Sequence, residues 1–255
     1  MNNYQRYLSN EVPSTRFDVN KYGNQEGIQL VVFNANILDS YSIKDLAKRH
    51  LHQNEIAAFN KRVQVSAKRE FIASRLIIKW LVSKVLAVDI HRIYLRFSIN
   101  NQCLQVIRDN EALPLTLSLS HSKGYVLIAL SQSKIKLGVD IEKIKMTREY
   151  SKLASECFHL TEFNCINQHG LSAFYRFWTL KEALTKAKKL DLTEVLALPV
   201  VEQIQPLISI SGQYDNCDFS IAYEPIRESI LLQVMSAENF DTMQSTWSNN
   251  KPCKL

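Results

Sequence analysis

The sequence predicts an α+β fold built from two similar α+β halves that meet near residue 132. Three observations carry this. Residues 115–142 hold three strand-like apolar runs in succession, Leu115–Ser120, Gly124–Ser131 and Ile135–Glu142. Long amphipathic helices are written on either side, over Ser66–Leu86 and 171–189. An aromatic-x₃-basic pair in the first helix, Phe71 and Arg75, is echoed by Phe177 and Lys181 in the second, and each helix is followed by strand-like segments. As a repeat this echo is weak, because aromatic-x₃-basic arises by chance in many helices. It divides the chain into residues 1–132 and 133–255.

The elements follow in order. Residues 1–27 are polar and punctuated by Pro13, Gly23 and Gly27, which reads as a loop or arm. Ile28–Ile37 is apolar and β-branched, a buried strand. Ser42 caps a helix through Asp45, Leu46 and Ala47, and helical character resumes over Asn54–Arg62. In Ser66–Leu86, Phe71, Arg75, Ile78, Leu81, Val82 and Val85 recur at three- and four-residue steps. Ile93–Ser98 reads as a strand, and Asn100–Leu113 as irregular chain stopped by Pro114. After the central strands come helices at 147–157, 161–168 and 171–189, the last ending before Pro199. Strands follow at Leu207–Ser211, Phe219–Tyr223 and Ile230–Val234. Residues 237–255 are polar and read as loose.

Composition bounds the function. The 255 residues are 46% hydrophobic and 22% charged, as in a soluble globular protein. No apolar run approaches the roughly 20 residues of a membrane span, and the N-terminus lacks the apolar centre of a signal peptide. Cysteines 103, 157, 165, 217 and 253 are an odd count without a CxxC pair, which fits free thiols in a reducing cytoplasm. The net charge of +6 favours an acidic partner: nucleic acid, a phosphorylated small molecule or an acidic protein. No long Lys/Arg run marks a nucleic-acid tail, and the charges are too dispersed for a basic face with interleaved aromatics.

The stretch Lys136–Ile144 carries the first chemistry. On a strand, Asp140 and Glu142 point to one face while Val139 and Ile141 point to the other. Two adjacent carboxylates suit a hard cation such as Mg²⁺, which takes one or two carboxylates and leaves places for phosphates and water; the bland alternative is a solvated strand end. In the helix Ala173–Ala187, Phe174, Phe177, Leu180 and Leu184 form a core face, and Glu182 and Lys186 stand four apart with Lys181 beside them. Such a pair is commonly a surface ion pair worth a few tenths of a kcal/mol. Here the carboxylate could instead be a third metal ligand or a general base, and the lysines could meet phosphate oxygens. Leu117-Ser118-Leu119-Ser120-His121-Ser122 alternates as a strand ending in a polar cluster. Neighbours on a strand face opposite ways, so a Ser120–His121 nucleophile–base relay has poor geometry. A phosphate contact is the better functional reading of that Ser and His, and a structural histidine the alternative. Cys157, His159, Cys165 and His169 have zinc-compatible types but not a finger spacing. Neither GxxxxGK[ST] nor GxGxxG is present.

Taken together, Ser-Leu-Ser-His-Ser (118–122), Gly-Val-Asp-Ile-Glu (138–142) and Phe-Trp-Thr-Leu-Lys-Glu-Ala-Leu-Thr-Lys-Ala (177–187) resemble the Sfp-type 4′-phosphopantetheinyl transferases. The resemblance covers residues 54–190 and implies two pseudo-twofold α+β lobes with coenzyme A (CoA) in the cleft between them. It places the nucleotide side of CoA on the N-terminal lobe and the metal and transfer residues on the C-terminal lobe. The reaction implied moves the 4′-phosphopantetheine arm of CoA to a serine of an acyl or peptidyl carrier protein and releases adenosine 3′,5′-bisphosphate. By the same resemblance Asp140, Glu142 and Glu182 hold Mg²⁺ (Mn²⁺ being the substitute), and Lys186, with Lys181 near it, neutralises phosphate. Ser120 and His121 meet the nucleotide end, Arg75 faces the 3′-phosphate, and Lys61 and Arg62 add to this. Glu182 is the expected base, with Glu142 its rival. A monomer is expected. The family's Gly-Lys-Pro is replaced by Asn100-Asn101-Gln102, which loses a cation and a rigid turn on the adenine side. That departure motivates a second reading, a silent CoA-binding regulator of the same fold.

Overall fold

The longest apolar runs become strands buried on both faces, and this sets the layers. The structure, a computed structural model, describes residues 15–16, 27–38, 40–100, 102–226 and 230–248. Strands β1 (Thr15–Arg16) and β2 (Ile28–Asn34) precede helices α1 (Ser40–His50), α2 (Gln53–Asn60) and α3 (Val65–Leu86). Then come β3 (Ile93–Ser98), β4 (Cys103–Arg108), β5 (Glu111–Ala112), β6 (Thr116–Ser122), β7 (Tyr125–Ser131) and β8 (Leu137–Lys143). Helices α4 (Tyr150–Cys157), α5 (Leu160–Lys188), α6 (Leu192–Ala197) and α7 (Val200–Gln203) follow, and β9 (Ile208–Tyr214), β10 (Cys217–Tyr223), β11 (Ile230–Met235) and α8 (Ala237–Ser248) end the described chain. The fold class is α+β. Among the described residues three sheets form, ordered β1-β11-β2-β7-β6, β8-β10-β9 and β3-β4-β5.

Period-two alternation distributes the core. Val31 and Phe33 of β2, with Val126, Ile128 and Leu130 of β7, face α3 and pack with Leu76, Ile77 and Trp80. Ile28, Leu30, Val32, Leu127 and Ala129 face the other way, against Val139 and Ile141 of β8 and Phe219 and Ile221 of β10. A further core gathers under α5, where Phe174, Phe177, Leu180 and Leu184 are buried.

Three sequence expectations are corrected. Residues 100–113 are not irregular, since β4 and β5 form a hairpin there. Its two-residue turn, Asp109-Asn110, has φ of 50° and 71°, the type I′ geometry more often written with glycine. Residues 237–248 are not loose: α8 buries Phe240 and Met243, and Phe240 stacks on Phe33 at 4.8 Å. Among its described side chains only Phe240 and Met243, three positions apart, are buried, in an otherwise polar stretch. Helix α1 begins at Ser40, so Ser42 lies inside it rather than at its cap. The break expected between 168 and 171 is real, for Gly170 interrupts α5 with φ 74° and ψ −152°. Most of the expected N-terminal arm, and residues 249–255, lie outside the described residues; Thr15–Arg16 pairs in parallel with β11. β11 in turn pairs in parallel with β2, so the chain after residue 230 joins the sheet of residues 28–131.

Gly138 decides how close α5 lies to β8. A Cβ there would stand 2.0 Å from the carbonyl oxygen of Ala183 and 2.6 Å from the nitrogen of Ala187, both helix backbone. Backbone cannot rotate away as a side chain can, so the helix itself must shift. Gly138→Ala is expected to lower stability by about 2–3 kcal/mol, within the usual cost of overpacking a core. The check is a drop in urea midpoint at unchanged slope.

Candidate functional site

The close approach at Gly138 lays one face of α5 along β8, and the carboxylates of that strand face meet it. Asp140 is only 4% exposed. Glu182 and Lys186, one helical turn apart on α5, lie over it. Lys186 Nζ donates to Val139 O at 3.0 Å and to Asp140 Oδ1 at 2.8 Å, so it pairs with the strand rather than with Glu182. Burial pushes the Glu182 carboxyl up to about 7, with the charges of Asp140 and Glu142 adding to it and Lys186 opposing. Burial also raises Glu142, partly offset by the hydroxyl of Ser122.

From the other side, β6 offers three serines on one strand face. Ser118 Oγ accepts the Val139 N–H at 3.0 Å, and Ser120 Oγ donates to Asp140 Oδ1 at 2.7 Å. Ser122 Oγ donates to Glu142 Oε2 at 2.7 Å and accepts the Lys143 N–H at 3.2 Å. The edges of two sheets are thus joined through hydroxyls.

The opposite face of β6 looks toward α3 and a cavity of about 1110 Å³. Arg62, Arg75 and His121 contribute to its wall, as do Lys134, Lys136, Lys186, Lys188 and Lys189, against a single carboxylate, Glu224. Phe71 and several leucines supply apolar surface. Arg62 and Arg75 both stack on Phe71, with guanidinium carbons 4.0 and 4.2 Å from the ring centre. Burial lowers Arg75 to about 10, with Glu55 opposing. Glu55 lies 3.7 Å away, and Arg75 Nε is buried without a hydrogen-bond partner. His121 Nδ1 stands 2.9 Å from Glu70 Oε2. The cavity is therefore strongly cationic, suited to a ligand carrying several phosphates and an apolar or aromatic part.

Among the described residues no group of three His, Cys, Asp or Glu side chains is arranged to hold a metal ion. The donor set of Asp140, Glu142 and Glu182 nevertheless fits a hard cation. Asp140 Oδ2 is buried without a hydrogen-bond partner, and the charges of Asp140 and Glu142 add to the proton affinity of Glu182.

The predicted site residues divide. Asp140, Glu142, Glu182 and Lys186 come together, and Arg62, Arg75 and His121 line the cavity with Lys186. Ser120 is turned from the cavity wall toward Asp140. Lys61 is exposed at the end of α2 and is not part of that wall. Lys181 is corrected outright. It is 0% exposed, paired with Glu162 at 2.7 Å and bonded to the carbonyls of Val195, Leu196 and Leu198. The reason is helical phase: five positions turn a helix by about 500°, so Lys181 and Lys186 lie about 140° apart. Ser118, Ser122 and Glu70 were missed. The serines were visible as Ser-x-Ser-x-Ser, whereas nothing local links Glu70 to His121.

Residues 136–223 match the family model described as the 4′-phosphopantetheinyl transferase superfamily. The chain is 27% identical over 195 residues to the 4′-phosphopantetheinyl transferase HetI of Nostoc sp., covering 71% of this chain and 81% of that protein. It is 35% identical over 79 residues to the 4′-phosphopantetheinyl transferase AcpT of Salmonella typhi, 29% of this chain and 41% of the relative. AcpT of Salmonella typhimurium matches equally.

Two outcomes follow from this geometry. Lys181→Met strands a buried carboxylate and should cost about 3–5 kcal/mol of stability, with ligand affinity of the folded fraction unchanged; urea melts beside calorimetry check it. Glu182 takes its proton more readily folded, at about 7, than unfolded, near 4.5. Its contribution to stability is full below about 4.5 and is lost as pH rises through about 7. In EDTA, Glu182→Gln should therefore gain on the wild type between pH 5 and 8, read from urea midpoints.

Proposed function

We propose that this chain, which belongs to the 4′-phosphopantetheinyl transferase superfamily, transfers the phosphopantetheine arm of CoA to a serine of an apo acyl or peptidyl carrier protein. The observation that carries this is the meeting of Asp140, Glu142, Glu182 and Lys186 beside a large cationic cavity to which Lys186 also belongs.

In this reading the residues divide the work. Arg62, Arg75 and His121 take the phosphates of the nucleotide end, and the apolar wall takes its uncharged surfaces. Asp140, Glu142 and Glu182 would hold Mg²⁺, which when bound would offset charge on the CoA pyrophosphate. Lys186 donates to a phosphate oxygen. Glu182 accepts the proton of the carrier serine as general base, and Glu142 is the rival base. The serine oxygen forms a bond to the phosphorus bearing the pantetheine arm, and the bond from that phosphorus to the bridging oxygen breaks. Adenosine 3′,5′-bisphosphate leaves with the electron pair. Positioning and charge neutralisation are the main demands of such a transfer.

The same reading keeps a monomer in the cytoplasm, acting without nucleic acid or membrane. It also keeps a division at residue 132 into two lobes, amended in that β11 and α8 join the sheet and core of the first. No helix among the described residues is long and apolar enough to cross a membrane. The positive charge suits carriers of acidic surface. The silent CoA-binding alternative rests on Asn100-Asn101-Gln102. Asn101 lies outside the described residues, and Gln102 has φ 48° at the cavity wall.

The test is intact-mass spectrometry of an apo acyl carrier protein incubated with this protein, CoA and Mg²⁺. A gain of one phosphopantetheine, abolished by EDTA and reduced at least a hundredfold by Asp140→Ala, is the expected result, on the scale of losing a key charge at the reacting centre. CoA binding without mass gain across several carriers would favour the silent protein instead.

A further inference from the structure

We infer that Glu70 is a positioning residue for His121, fixing that ring so that the cavity distinguishes a nucleotide bearing a terminal 3′-phosphate from one without it; this rests on the CoA reading above. Glu70 is a buried carboxylate on α3, next in sequence to Phe71 of the cavity wall. An acid there weakens an anion site unless its charge is committed elsewhere. Both of its oxygens are committed. Oε1 accepts the N–H of Gly124 in the turn between β6 and β7, and Oε2 lies 2.9 Å from His121 Nδ1. Burial alone would raise the Glu70 carboxyl, and those two hydrogen bonds hold it below its ordinary value instead.

A carboxylate at this position only accepts, so Nδ1 of His121 carries a hydrogen. Nε2 is then the ring nitrogen left for the cavity, where the His121 side chain is 53% exposed; because a phosphate oxygen only accepts, the ring that meets it is the imidazolium, with a hydrogen on Nε2 as well as on Nδ1. The alternation of β6 requires this division. Ser120 and Ser122 face β8, and His121 between them faces α3. The charged neighbours that face Glu70 are Lys123 in the turn and Arg62 from the end of α2. The turn has supports of its own. Ala35 N–H donates to Gly124 O at 2.7 Å, and Asn36 Nδ2 donates to Lys123 O at 3.1 Å. Glu70 is thus not the sole tie of the β6–β7 turn, and its bond to the ring has a separate consequence, at the ligand.

The experiment is calorimetric titration of the whole chain, in EDTA, with CoA and with 3′-dephospho-CoA. The wild type should bind CoA more tightly. Glu70→Gln should weaken CoA about tenfold, the scale of one charge-assisted hydrogen bond, and leave 3′-dephospho-CoA unchanged. In a His121→Ala background, Glu70→Gln should add nothing. An equal loss for both ligands, or an additive effect in the double variant, would overturn the inference and make Glu70 a support of the turn. Wild-type protein that binds neither ligand would overturn the CoA reading itself. Should Glu70→Gln not fold, ¹⁵N spectra of the wild-type histidines decide the matter: a protonated Nδ1 on His121 is expected, and an unprotonated one overturns the inference.

Discussion

β6 and β8 run along each other without sharing a backbone ladder, and the hydroxyls of Ser118, Ser120 and Ser122 make the connection instead. A strand edge that is buried must satisfy its N–H groups. Here Val139 and Lys143 do so on serine oxygens. A hydroxyl accepts and donates at once, so Ser122 also donates to the Glu142 carboxylate beside it. A ladder of main-chain bonds would tie the strands equally well and leave Asp140 and Glu142 without these donors. The seam that joins two sheets is thereby the seam that aims the acids, and β6 presents His121 on its other face.

Beneath this seam lie buried ion pairs that repeat along the chain. His52 caps α2 and Glu55, three residues on, meets Lys79 at 2.7 Å and Arg75 at 3.7 Å; His159 caps α5 and Glu162, again three residues on, meets Lys181. Glu55 Oε1 also accepts the Leu95 N–H, and Glu162 Oε1 accepts the Val200 N–H. The weak echo of Phe71-x₃-Arg75 and Phe177-x₃-Lys181 is thus part of a longer recurrence: capping His, Glu, then a basic partner at nearly equal distance. Burial lowers Lys181 and raises Glu162, each opposed by the other's charge. Pairs of this kind add little net stability but are costly to break, because one charge is then left alone in the core.

Legibility from sequence followed range. Wherever a residue's place depends on strand alternation or helical phase, the pattern sufficed: Asp140 with Glu142, Val139 with Ile141, and Glu182 over Lys186 all stand as the periodicities require. Lys181 shows how narrow that success is, since phase alone sets it apart from Lys186 and adjacency to Glu182 concealed it. The β4–β5 hairpin was hidden because Asp109-Asn110 adopts positive φ without glycine. Glu70 and His121 lie on elements far apart in the chain, and only the folded packing of α3 on β6 brings them together. Helix α8 was obscure for a compositional reason, as two buried apolar side chains do not outweigh its polar surface.

The order of the five-stranded sheet has a bearing on how the chain is born. Strand β11 is inserted between β1 and β2, so a seat next to β2 stays open until residue 235 has been synthesised. At ordinary elongation rates of about 5–20 residues per second, β2 waits roughly ten to forty seconds for that neighbour, with Phe33 lacking the ring of Phe240 meanwhile. During that interval the nascent chain exposes an apolar strand edge, the surface to which chaperones and stray strands bind. The length of that interval is set by the stretch of chain between β2 and β11, not by the strength of any single contact.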